Sequence, residues 1–158
     1  KNKRMLSLIE EDGYSLIAVH SSLETYQLAF FLNKFLGLRL KREKQDVDFK
    51  HKELLALYPL YHFFDLANER GFYLVSNKFK GNKENFQPSG GLFQEEPIFT
   101  TNLIPEYKKV DFFLKIEDET EITDVQNIVR NLNNVPKIIT AYALEVEALK
   151  SKENLIFN

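Results

Sequence analysis

Two stretches of this chain switch from the two-residue period of a strand to the longer period of a helix at a capping signal. Residues 14–20 alternate, with Ser15, Ile17 and Val19 on one side and Tyr14, Leu16 and Ala18 on the other; Ser21 and Glu24 follow at capping-box spacing. Residues 110–117 do the same, placing Val110, Phe112, Leu114 and Ile116 on one face and Asp111, Phe113, Lys115 and Glu117 on the other. Asp118 and Glu121 then stand at the same spacing. The first switch predicts a strand apolar on both faces and a helix over about 22–36 that stops at Gly37. The second predicts a core strand, and a helix whose Ile122, Val125, Val129 and Leu132 form one stripe ending near Asn133 and Asn134.

Between these units, residues 38–41 alternate as a strand with one wet face, and residues 47–49 continue it beyond a bend at Gln45 and Asp46. Residues 57–66 and 72–79 are aromatic and β-branched runs joined by a turn, so they predict an antiparallel hairpin whose start Pro59 pushes to an edge. Residues 138–144 read as a further strand, and Leu155, Ile156 and Phe157 as a short terminal one. Residues 80–97 hold Gly81, Pro88, Gly90, Gly91 and Pro97 without periodicity, which predicts one long, mobile loop. The order predicts a single α+β domain over 1–158: a mixed, largely antiparallel sheet with two helices on one face, in a ferredoxin-like-related arrangement.

Fourteen Phe and seven Tyr supply an aromatic core, and 28% charged residues keep the outside wet. A net charge of −2 argues against a surface built throughout to neutralise phosphate. With no cysteine, disulfides, iron–sulfur clusters, thiolate zinc sites and cysteine nucleophiles are excluded. Three histidines leave little for an imidazole metal site, so no metal or cofactor is expected. No apolar run approaches the ~20 residues that span a bilayer, so a cytoplasmic location and no membrane partner are expected.

The segment Ile104-Pro105-Glu106-Tyr107-Lys108-Lys109-Val110-Asp111-Phe112 resembles the signature of a bacterial family, IPExxxVDY, named after those residues. Ile104, Pro105, Glu106, Val110 and Asp111 match, whereas Phe112 stands where the family has tyrosine. The run from Ser21 to Ala29 and the Ser76-Asn77-Lys78 segment are also similar to it. The resemblance implies a single-domain protein of the Bacteroidetes and brings no activity with it. A phenol that moved protons could not be exchanged for Phe, so the aromatic at 112 reads as packing and the signature as structural. Pro105 fixes φ and removes an N–H, which makes the first half of the signature a rigid corner.

Glu106 and Asp111 flank one strand entry and could act as acid and base; alternatively, Glu106 accepts backbone N–H groups at the corner and Asp111 pairs with a basic neighbour. His20 and His62 could approach each other if their strands are neighbours, with Asp65 or Glu24 orienting an imidazole. Ser89, Gly90 and Gly91 lack the strand–glycine–helix context of a phosphate loop. No catalytic motif is present, which leaves the question of an enzyme open and leans against one.

Adjacent Phe30 and Phe31 point about 100° apart, giving the first helix more apolar surface than one stripe needs. The expected function is therefore that of a non-catalytic binding or accessory protein acting through protein contacts, with self-association through this helix as one form. One alternative is a weak RNA-binding module using Arg39, Lys41, Arg42 and Lys44 together with Lys78, Lys80 and Lys83, interleaved with Phe79 and Phe86. Another is a small-ligand sensor, or an enzyme of unrecognised type, with a pocket between the long loop and the signature strand.

Overall fold

The computed structural model describes residues 13–51, 54–81, 99–121 and 123–157. Along them run β1 (Tyr14–Ser21), α1 (Thr25–Leu36), β2 (Lys41–Arg42), β3 (Val47–His51), β4 (Leu54–Tyr58), β5 (Leu60–Asp65), β6 (Arg70–Ser76), β7 (Lys78–Gly81), β8 (Phe99–Asn102), β9 (Phe112–Asp118), α2 (Val125–Asn133) and β10 (Ile138–Leu144). Six strands form one sheet in the order β10-β1-β9-β6-β5-β2, and every pairing in it is antiparallel. The fold is α+β. Four consecutive strands, β10-β1-β9-β6, have the ferredoxin-like order, and the β5–β6 hairpin with β2 widens the sheet at the other edge.

Both helices lie on one face. Leu28, Ala29 and Leu32 of α1 and Leu132 of α2 are fully buried against Ile17, Val19, Phe72, Leu74, Phe112, Leu114 and Ile116. These strand residues alternate, as a pleated surface requires for them to share a face. The other face is covered too: Leu16, Ala18, Val75 and Phe113 pack under Tyr58 of β4, Leu103, Ile104, Val110 and the C-terminal Val146, Leu149 and Leu155. This double cover explains why β1 and β9 are apolar on both sides.

Several boundaries differ from the sequence expectation for local physical reasons. Ser21 ends β1 instead of capping a helix: its hydroxyl donates to the Lys137 carbonyl at 2.8 Å and accepts from the Leu23 N–H. The capping box sits three residues later, with Gln27 Oε1 accepting the Glu24 N–H and the Glu24 side chain accepting the Gln27 N–H, so α1 starts at Thr25. At α2, Asp124 is the cap, through the Asn127 N–H. Asp118 instead gathers the hydroxyls and N–H groups of Thr120 and Thr123. Burial would raise its pKa, but those bonds outweigh it and hold the carboxyl well below the usual range. Ile122 lies outside the described residues.

Pro59 breaks the expected first hairpin strand. β4 precedes it and pairs with β3 in a separate two-stranded sheet, and β5 follows it. Residues 47–51 are therefore a partner of β4 and not an extension of β2. Asn77 interrupts the second strand in the same way, splitting β6 from β7, which pairs with β8. Val110 precedes β9 and packs with Ile104 on the face away from the helices, not beside Phe112. Leu155 closes a short 3-10 turn, Lys152–Leu155, where a strand was expected. The expected loop over 80–97 lies, from residue 82 onward, outside the described residues.

Phe112 is 4% exposed in the helix-side core. Replacing it with Ala should cost about 3–5 kcal/mol in urea unfolding through the cavity it leaves. Phe112→Tyr should cost less than about 1.5 kcal/mol.

Candidate functional site

The residues that hold the signature in place converge on one amide. Asn77 has no exposed surface, and its Nδ2 donates to the carbonyls of Tyr107 (2.9 Å) and Val110 (2.8 Å) while its Oδ1 accepts the Ile104 N–H (2.8 Å). Its own N–H donates to the Asp111 carbonyl and its carbonyl accepts the Leu103 N–H, both at 2.9 Å. Pro105 starts the 3-10 turn Pro105–Tyr107, where its missing N–H is no loss. The turn plus one buried amide thus satisfy a segment that belongs to no strand.

The two signature carboxylates have different partners. Glu106 accepts the N–H groups of Lys150 (2.7 Å) and Ser151 (2.9 Å) and the Ser151 hydroxyl (2.8 Å), tying the C-terminal segment to the corner. Burial would raise its pKa, yet the hydrogen bonds, among them those from Ser151 and Lys150, win and lower it below the ordinary 4.5. Asp111 accepts the Ser21 N–H at 2.9 Å and the Lys78 ammonium at 2.8 Å, joining the end of β1 to β7. Both act here as acceptors for donors on other segments.

Asp111 and Phe112 line a cleft of about 760 Å³. Its walls are Ser21, Ser22, Glu24 and Thr25 at the start of α1, Ser76, Lys78, Phe79 and Lys80 around β7, and Asp46, Leu57, Pro59 and Ile139. It opens where β1 delivers the chain into α1. A second cleft of about 490 Å³ lies at the β2 edge, walled by Lys41, Arg42, Glu43, Lys44 and His62. The two basic clusters therefore line different clefts, with exposed Arg39 preceding β2. Arg42 pairs with Asp46, and Lys78 with Asp111. Phe79 is partly buried and packs edge-to-face with Tyr58. Lys83 and Phe86 lie outside the described residues.

His20 and His62 are not brought together, because β9 and β6 stand between β1 and β5. His20 Nε2 meets the Tyr142 hydroxyl at 2.8 Å; His62 lies 3.4 Å from Glu43 and stacks on Tyr73 at 4.4 Å. Among the described residues no three His, Asp or Glu side chains gather as a metal site would require.

Lys115, which the alternation puts on the face of β9 with Phe113, is a feature the sequence reading did not single out. It is 5% exposed, its Nζ lying 4.6 Å from the Tyr14 ring, 5.3 Å from Phe157 and 5.6 Å from Tyr73. Nζ donates to the Leu155 carbonyl at 2.8 Å and pairs with Glu117 at 3.2 Å, which meets the demand that a buried ammonium be both hydrogen-bonded and paired. Burial first, then the Glu117 carboxylate, push Tyr73 up to about 12. The signal in the sequence was Phe113, two residues earlier on the same face, since a phenylalanine there requires a cover.

Asn77→Ala should lower stability by about 3 kcal/mol or more, because buried acceptors and a donor lose their partner. Equilibrium urea unfolding measures this. Glu106 has a lowered folded-state pKa, so its contribution is complete above the ordinary 4.5 and disappears as pH falls through the lowered value. Glu106→Gln should remove that part of the acid limb in a melting-temperature profile. Comparison with protein-family models, curated proteins and solved structures finds no match to this chain.

Proposed function

We propose that this protein is a non-catalytic binding protein that works through protein contact, and that the outward face of α1 packs against a second copy of the chain. The observation that carries this reading is the helix surface. α1 has one charged side chain, Lys34, in twelve residues, while Tyr26, Phe30 and Phe35 are 62%, 61% and 47% exposed. Phe30 meets Phe31 edge-on at 5.8 Å and Phe31 stacks on Phe35 at 6.1 Å, so these three rings form one band, with Tyr26 one turn before Phe30. Contiguous apolar bands on soluble proteins mark contact surfaces.

The band suits its own copy. In an antiparallel pair of α1 helices crossing at Phe30 and Phe31, the Phe30–Phe31 ring pairs of the two copies face each other. Lys34 then faces the helix start that carries Glu24, and that pairing of opposite charges favours the antiparallel arrangement. Three half-exposed aromatics offer roughly 300 Å², well short of the ~800 Å² each partner gives a standard interface, so the contact extends past the helix. Exposed Ile139, beside the start of α1 on the cleft rim, provides a continuation. The signature then serves to fix the sheet on which α1 rests, in line with the resemblance of residues 104–112 to a family that brings no catalytic residue with it.

Light scattering coupled to size exclusion should give a dimer mass for the wild type and a monomer mass for Phe30→Glu with an unchanged melting temperature, since Phe30 supports no core contact. A wild type that stays monomeric at about 100 μM would sink the self-association reading.

A further inference from the structure

The cleft beside α1 presents hydrogen-bond donors that the fold does not use. Thr25 is 7% exposed and lines the cleft, and its hydroxyl has no partner among the described residues. The hydroxyl itself is not enclosed, so it is open to an acceptor that enters the cleft. Beside it, the exposed hydroxyl of Ser22 and the Lys80 ammonium also line the cleft without a partner among the described residues. The first-turn N–H groups of Thr25 and Tyr26 precede the first intrahelical bond, and the helix dipole places partial positive charge there.

The carboxylates in the same walls are already engaged. Asp111 is held by Lys78 and Ser21, Asp46 by Arg42, and Glu24 by the Gln27 N–H. Three carboxylates face three cations once Arg42, which pairs with Asp46 from outside the walls, is counted with Lys78 and Lys80; what selects a ligand is the set of unengaged groups, and those can all donate. Opposite them the walls are apolar: Leu57, Pro59, Phe79 and Ile139. A cleft of about 760 Å³ lies in the range of small-molecule sites.

We infer that this cleft binds a small organic oxyanion, a phosphate monoester or carboxylate with an apolar body. Its head is received by Thr25, Ser22, Lys80 and the start of α1, and its body by Leu57, Pro59 and Phe79. Tyr26, Phe30 and Phe35 are not among the walls of the cleft, so Phe30→Glu and Lys80→Ala test the two readings separately.

Titration of the full chain with phenyl phosphate, followed in amide nitrogen–proton spectra, tests this. Saturable shifts centred on residues 22–26 and 80 are expected, with inorganic phosphate weaker because it leaves the apolar wall unused. Lys80→Ala and Thr25→Val should each weaken phenyl phosphate by about tenfold, and Thr25→Ser, which keeps the hydroxyl, should restore most of it. Lys80 is exposed, so its variant folds whatever the fate of Thr25→Val. Absence of saturable shifts at those amides, equal affinity for the two phosphates, or binding unchanged in Lys80→Ala would each overturn the proposal.

Discussion

The buried amide of Asn77 is the constraint on which the rest of this structure depends. The chain must leave β6, cross to β7, return through β8 and re-enter the sheet at β9, and these crossings leave backbone groups of residues 103–111 away from any ladder. A single side chain with two donors and an acceptor, assisted by its own backbone, answers five of them. In a buried setting such groups must be paired or they cost more than the packing around them returns. Because Asn77 fixes both Ile104 and Val110, it also fixes where Glu106 and Asp111 stand.

From that anchor the signature divides its work. Ile104 and Val110 plug the sheet face away from the helices, Glu106 binds the C-terminal segment, and Asp111 binds the junction of β1 with α1. The C-terminal segment closes over Lys115, whose ammonium is received by the Leu155 carbonyl and the Phe157 ring. Two charged groups, one on each side of the segment, thus hold residues 150–157 where no strand pairing does. The same division separates structural chemistry from the cleft: Glu106 faces the C-terminal segment, while Asp111 contributes to a wall with unengaged donors.

Much of the architecture was legible in the sequence because period and punctuation agreed. The alternation in 14–20 and 112–117, the apolar stripes of both helices and Gly37, whose φ of 67° needs no side chain to accommodate, point to one order of elements. What was not legible is what depends on distance across the sheet. Asn77 looks like an ordinary loop polar residue until residues 104–110 are folded against it. Lys115 looks solvated until residues 155–157 cover it. The cleft likewise joins β4, β5, β7 and α1, which no local pattern places together, although the run from Ser21 to Thr25 marked one wall as a helix start. Capping was misplaced, by three residues at α1 and six at α2, because Ser21 and Asp118, which have the chemistry of caps, found stronger partners in Lys137 and in Thr120 and Thr123.

The two halves of the ferredoxin-like core share a device that sequence comparison between them does not reveal. In α1, the Asn33 side chain accepts the Leu40 N–H at 2.8 Å and donates to the Leu40 carbonyl at 3.1 Å. Asn133, closing α2, does the same to Ala141, both bonds at 2.9 Å. In each half an amide near the end of the helix imitates a strand neighbour for the segment that follows. At β10, the outermost strand of the sheet, this matters most: residues 138–144 carry no charge to repel a further strand, and Asn133 occupies the backbone groups at the centre of that edge. Such blocking steers any association of copies away from edge-to-edge pairing. The contact proposed for the aromatic face of α1 does not call on that edge.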